Sequence, residues 1–144
     1  MRNTISRQTI SLELAHAMIA AAQAKGQEIG LPIAVTIVDE SGVLKAFSRM
    51  DGAALIAVSA SRKKALTAVG FGFPTGESWH NFIKDDPILL IGAQQLDDFI
   101  LLGGGLPIVI DGAIVGAIGV SGGHYHQDEI CARAATALLA AAAT

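Results

Sequence analysis

The chain has one cysteine, one tryptophan and one tyrosine, and only 16% of its residues are charged. Each scarcity removes a class of function. A lone cysteine, Cys131, leaves no internal disulfide and no cysteine pair for a zinc site. One Trp and one Tyr offer little stacking for bases. With 10 Lys and Arg against 13 Asp and Glu, a formal net charge of -3, no positive stripe is available for a phosphate backbone. Nucleic acid is therefore not an expected partner. The longest Ala-rich stretch, 132–143, is interrupted by Arg133 and falls short of the roughly 20 apolar residues that span a bilayer, so no membrane segment is expected. No charged n-region followed by an apolar h-region opens the chain, and with the single cysteine this makes the cytoplasm the expected location.

What the chain holds instead is apolar residues, 51% of the total. Its 144 residues suffice for one domain, read as 1–144, with a real core. With so few charges to spread over the outside, part of the apolar area is expected to face another copy, which makes a homo-oligomer the expected state.

Hydrophobic periodicity divides the chain into helices and hairpins. From about Ser6 to Lys25, the residues Ile10, Leu14, Ala17, Met18 and Ala21 recur at the spacing of one helix face, and Gly26 and Gly30 end the run. "PIAVTIV" is an almost unbroken β-branched run, as expected of a strand buried on both faces. Val43–Arg49 follows it across "DESG", which predicts a hairpin. Asp51 is placed to cap a second helix carrying Leu55, Val58, Ala65, Leu66 and Val69. Thr75 is placed to cap a shorter one to about Lys84, with Trp79 and Phe82 covering an edge of the core; Pro87 opens a further short segment. Asp111-Gly112 between Leu106–Ile110 and Ala113–Val120 is a tight-hairpin signal. A last helix runs from about His126 to Ala142, where Ala132, Ala135 and Ala140 let it lie close to a sheet. Hairpins demand antiparallel neighbours, so the fold class is α+β and not a doubly wound parallel sheet.

The stretch richest in candidate chemistry is "VGAIGVSGGHYHQDE", Val115 to Glu129. It matches neither G-x-G-x-x-G nor G-x-x-x-x-G-K-[ST]. Its amides at a helix start can hold a carboxylate or phosphate, and the alternative is a plain turn. His124 and His126 share a face only in an extended chain, since on a helix they diverge by roughly 200°. No third ligand stands at a recognisable spacing, so no dedicated metal site is expected. Asp128 and Glu129 read as acids of a site or as first-turn acids facing the positive end of the last helix. Arg49-Met50-Asp51 reads as side chains gathered at a sheet edge or as a cap with a surface ion pair. Arg62 to Lys64 read as a solvated face from which Lys64 can pair with an anion. His16 reads as a partly buried helix residue, or as an axial ligand if a haem is present. Cys131 reads as a packed apolar residue, and no Ser-His-Asp order or G-x-S-x-G elbow exists.

Taken in order, "VDESGVL", "RMDGA", "RKKALTA", "PTGE", "GGGLPIVIDGAIVGAIGVSGG" and "QDE" make the chain resemble the GlcG/HbpS family over essentially its whole length. That family includes a small protein encoded with glycolate oxidation genes, the C-terminal domain of PduO-type adenosyltransferases and a secreted haem-binding sensor. The resemblance implies a five-stranded antiparallel sheet flanked by helices, profilin-like in outline, assembled into a higher oligomer such as an octamer. It also implies a ligand-binding accessory protein of a catabolic operon (glycolate, diol or glycerol type) that holds haem or another tetrapyrrole. Arg49, Asp51 and Gly52 match its "RMDGA" element, Lys64 and Thr67 its "KA-x-TA" element, Thr75 its Pro-Thr turn, and Gly104, Gly105, Ser121, Gly122 and Asp128 its C-terminal elements. Family haem ligands are a threonine in one member and a histidine in another, which makes His16, Thr67 and Thr75 the candidates here. The alternative is an enzyme, a lyase or isomerase of a small carboxylic or hydroxy acid. In that reading Arg49 or Lys64 holds the carboxylate, the Gly104-Gly105 and Ser121-Gly122 amides steady an oxyanion, and His124 or Asp128 moves the proton.

Overall fold

Helix α1 (Leu12–Glu28) starts where the Ser11 hydroxyl accepts from Leu14 N at 3.1 Å, a side-chain cap for an otherwise unpaired amide. In this computed structural model, which describes residues 1–142, the stretch from Ser6 to Ser11 lies outside the helix expected to contain it. The sheet draws it away: Ile10 is 1% exposed in the core, and its N–H donates to Val115 O at 3.0 Å.

Strands β1 (Ala34–Asp39) and β2 (Leu44–Arg49) form the expected hairpin. Asp39 Oδ1 closes it by accepting from Ser41 N and Val43 N. After it come α2 (Ile56–Phe71), α3 (Glu77–Ile83), α4 (Pro87–Gly92) and a single 3-10 turn, Ala93–Gln95. Pro87 does open α4, behind the Asp86 cap. Strands β3 (Gly105–Ile110) and β4 (Ala113–Ser121) then flank the left-handed pair Asp111 (φ 50) and Gly112 (φ 78), and α5 (Tyr125–Ala142) ends the described chain. The sheet is antiparallel throughout, in the order β2-β1-β4-β3.

Among the described residues the sheet has four strands, not the five that the family resemblance implied. β4 skips Val115 in its pairing with β3, and the bulged carbonyl of that residue takes Ile10 N. One such bond does not build a ladder, so the N-terminal segment adds no strand. Two expected caps also differ. Asp51 is exposed in a turn with Gly52 well before α2, whose start has no side-chain cap. Thr75 is drawn to β3 instead, and Gly76 precedes α3. Trp79 is buried as expected, whereas Phe82 is 67% exposed.

Helices α1 and α5 cover one face of the sheet through Met18, Ile33, Val35, Ile37, Ile118 and Val120. Helix α2 covers the other through small residues, Ser61, Ala65 and Ala68, set against Thr36, Ala117 and Gly119. Its backbone lies so close that a Cβ on Gly119 would overlap Ser61 O, and one on Gly105 would overlap Lys64 O. No helix among the described residues is long and apolar enough to cross a membrane.

Candidate functional site

One end of the sheet gathers most of the residues singled out in the sequence. Arg49 pairs with Ala34, Ala34 pairs with Ser121, and Gly105 opens the neighbouring β3. Arg49, Ser121-Gly122 and Gly104-Gly105 therefore line a rim roughly 15 Å long, at about 4.8 Å per strand spacing. Arg49 and Asp51 sit exposed at its β2 end, where Gln23 and Gln27 join them around an open recess of about 370 Å³. Ser121 is 8% exposed, and Gly122 is pressed on the Pro32 carbonyl, where a Cβ would come within 2.5 Å.

At the opposite end of the rim lies a buried ion pair. Lys64, read as part of a solvated face, is 1% exposed, and so is Asp128. Lys64 Nζ donates to Asp128 Oδ2 at 2.8 Å and to Val120 O at 2.9 Å, while Asp128 Oδ1 accepts from Gly123 N at 3.0 Å. Burial holds the Lys64 ammonium below its ordinary pKa, and the charge and hydrogen bond of Asp128 oppose that drop. Gly104 makes the room: with φ +120 it occupies a region that side chains rarely adopt, and a Cβ there would come within 3.1 Å of Nζ. Asp128 is a first-turn acid of α5, as the sequence suggested, and in addition a buried cross-link between α5 and α2. A signal for this existed in the spacing, because Lys64 shares the stripe Ser61, Lys64, Ala65, Ala68 that α2 buries.

The remaining candidates do not converge on this pair. Thr67 donates to Asp98 O and accepts from Ile100 N, which pins the loop before β3. Thr75 Oγ1 accepts from Gly105 N at 2.9 Å, and Thr75 N donates to Gly105 O, so this hydroxyl and this amide are engaged with each other. His16 is exposed on α1. His124 precedes α5, where its N–H donates to Gln127 Oε1 and its Nδ1 accepts from His126 N, a reciprocal cap. His126 reaches across to Glu77, with Nε2 and Oε1 3.0 Å apart. Among the described residues, no group of three or more His, Cys, Asp and Glu side chains stands close enough to hold a metal ion. Cys131 is fully buried, and burial, with Asp128 nearby, pushes its thiol up to about 11.

Beside the ion pair a cleft of about 220 Å³ opens between α3, the loop before β3 and the start of α5. Glu77, His80, Leu101, Gly103 and Tyr125 line it. Sequence reasoning missed His80 and Tyr125, which come from distant segments with no spacing to link them.

A family model described as haem degrading protein HbpS-like matches residues 10–137. The chain belongs to the HbpS-like family. This HbpS-like chain is 37% identical to protein GlcG of Escherichia coli K12 over 112 residues, 78% of this chain and 81% of that one. Among solved structures it resembles the ORFY protein of Klebsiella pneumoniae with a TM-score of 0.87 and 31% identity, covering 98% of this chain and 97% of that one. It also resembles the PduOC haem complex, with a TM-score of 0.82 and 28% identity over 90% of this chain and 94% of that one. Lys64, Gly104 and Asp128 lie in three separate stretches of the chain, and the fold brings them together.

Proposed function

We propose that this chain binds haem or a related tetrapyrrole at a surface completed by a second copy of itself. The observation that carries the reading is the likeness to the PduOC haem complex over 90% of the chain. The surface supports it. Clefts of the single chain, such as those of about 220 and 370 Å³, are open and too small to enclose a large planar ring, so a second subunit must supply the cover. A higher oligomer such as an octamer, which the family resemblance implies, would provide one. The setting we infer is the cytoplasm, beside a catabolic operon of the glycolate, diol or glycerol type.

His16 suits the iron best of the three candidate ligands. It is exposed, makes no side-chain hydrogen bond among the described residues, and has Leu12 and Ala20 one turn away on the same helix face as apolar flanks for a flat ring. Thr67 and Thr75 already spend their hydroxyls on backbone partners. When bound, haem supplies redox and ligand-binding chemistry at its iron; the chain contributes the imidazole, the apolar flanks and the exclusion of water.

Titrating the purified protein with haemin tests the reading. A saturable Soret shift is expected, at least tenfold weaker in His16→Ala and little changed in Thr67→Ser. Absence of a Soret shift in the unaltered protein overturns it, and an undiminished shift in His16→Ala removes His16 from the site. Native mass spectrometry of the same sample reports how many copies share one haem.

A further inference from the structure

We propose that the cleft between α3, the loop 101–104 and the start of α5 binds a compact apolar molecule through one carbonyl or carboxylate oxygen, received by the Gly103 amide at its wall. This site is distinct from the His16 surface and stands on different observations.

Gly103 and Gly104 are both buried, and among the described residues neither N–H has a hydrogen-bond partner. Several amides close by do have one, Ile100 N to Thr67 Oγ1, Gly105 N to Thr75 Oγ1, Gly123 N to Asp128 Oδ1 and His124 N to Gln127 Oε1, while Leu101 and Leu102, which also lack one among the described residues, are less buried. Buried backbone amides nearly always find an acceptor, so two consecutive ones without a protein partner mark a departure. It falls where Gly103 lines the cleft. The loop carries no side chains there, and Gly76 packs so closely that a Cβ on it would come within 2.9 Å of Gly103 Cα. The cleft therefore meets bare backbone.

The walls set the rest of the ligand. Leu101, Leu102 and the Tyr125 ring make them apolar, with Glu77 and His80 as their polar members. Nearby charges are offset in pairs: Glu77 by His126 when that ring is protonated, Glu129 by Arg133 at 2.7 Å, and Lys64 by Asp128. Among the described residues no Lys or Arg lines the cleft to demand an anion, so the shared chemistry is an acceptor oxygen, charged or neutral. A cavity of about 150 Å³ in another protein takes benzene, so about 220 Å³ suits a single ring with one substituent.

Benzamide and benzoate are the probes, titrated into the full-length protein while its backbone amide resonances are followed. Saturable shifts centred on Gly103 are expected; benzamide alone identifies a neutral carbonyl ligand, and benzoate as well identifies a site that takes a carboxylate. In Gly103→Ala the added Cβ meets Tyr125 Cδ2 at 3.4 Å, an ordinary contact that narrows the cleft. It is expected to weaken binding at least tenfold with an unchanged melting temperature. If that variant does not fold, Tyr125→Ala, which removes one wall, takes its place with the same expected loss. The proposal is overturned if neither probe shifts the Gly103 amide, or if the folded variant binds as tightly as the unaltered chain.

Discussion

On the α1–α5 face of the sheet, Met18, Ile33, Ile37, Ile118 and Val120 are fully buried and interlock as large side chains, whereas on the α2 face Ser61, Ala65 and Ala68 meet Thr36, Ala117 and Gly119 almost backbone to backbone. The first face is held by apolar area, which relaxes in part when a methyl group is lost. The second is held by close fit and by polar ties, the Thr36–Ser61 contact at 2.8 Å and the Lys64–Asp128 pair at 2.8 Å. It cannot relax without moving the whole helix. Because Lys64 rides on α2 and Asp128 on α5, the closely packed face also sets the position of the glycine rim and of the cleft beside it.

The largest test of this contrast is Gly119→Val beside Ile118→Val, adjacent residues on opposite faces. The first should prevent folding or cost more than about 4 kcal/mol, since its side chain must occupy the space of Ser61 O. The second should cost about 1 kcal/mol. Urea unfolding measures both, and similar losses would erase the distinction between the faces.

Next comes the polar tie. Asp128→Ala leaves the Lys64 ammonium buried without its counter-charge and should cost about 3–5 kcal/mol. The double change Lys64→Met with Asp128→Leu should recover most of it. A loss below about 1 kcal/mol in Asp128→Ala would mean that the pair reaches water in solution.

The smallest effect appears only in alkali. Cys131 lies in the apolar cluster, yet the charge of Asp128 reaches it and, after burial, helps to raise its thiol from 9.0 to about 11. The neutral thiol is favoured by the fold, so its contribution is complete below about pH 9 and is lost as pH rises to about 11, by roughly 3 kcal/mol at most. Lys64 has the opposite sign. Its pKa is lowered in the fold, so the folded state gains as pH climbs toward the ordinary lysine value. Comparing unfolding of the unaltered protein and Cys131→Ala at pH 8 and pH 10.5 isolates the thiol. Parallel losses in the two proteins would show that Cys131 titrates normally.

Both hairpins were legible because turn chemistry is local: the loop with Gly42 and the Asp111-Gly112 pair behave as their residue types require. So were the double-sided burial of β1 and the start of a new short segment at Pro87, which the structure shows to be a helix. The caps were less legible, because a capping residue chooses among partners that the sequence does not display. Ser11 caps α1 although the sequence reading placed it inside the helix, while Thr75, expected as a cap, gives its hydroxyl to a strand amide instead. The candidate site was legible in part. Arg49, Ser121, Gly104 and Gly105 share one end of the sheet because strand ends meet there, but His80 and Tyr125 enter from helices whose placement no motif announced.

By itself, then, the sequence determined the order of helices and hairpins, the antiparallel sheet and the family, because periodicity, turn residues and motif spacing act within a few residues of each other. Only the tertiary structure decided that the sheet of the described residues stops at four strands, that Lys64 and Asp128 are one buried pair, and that a cleft opens beside Gly103, whose amide has no partner among the described residues. Those outcomes depend on distance and on the exclusion of water between groups as far apart as 64 positions, and both quantities come into being only when the layers pack.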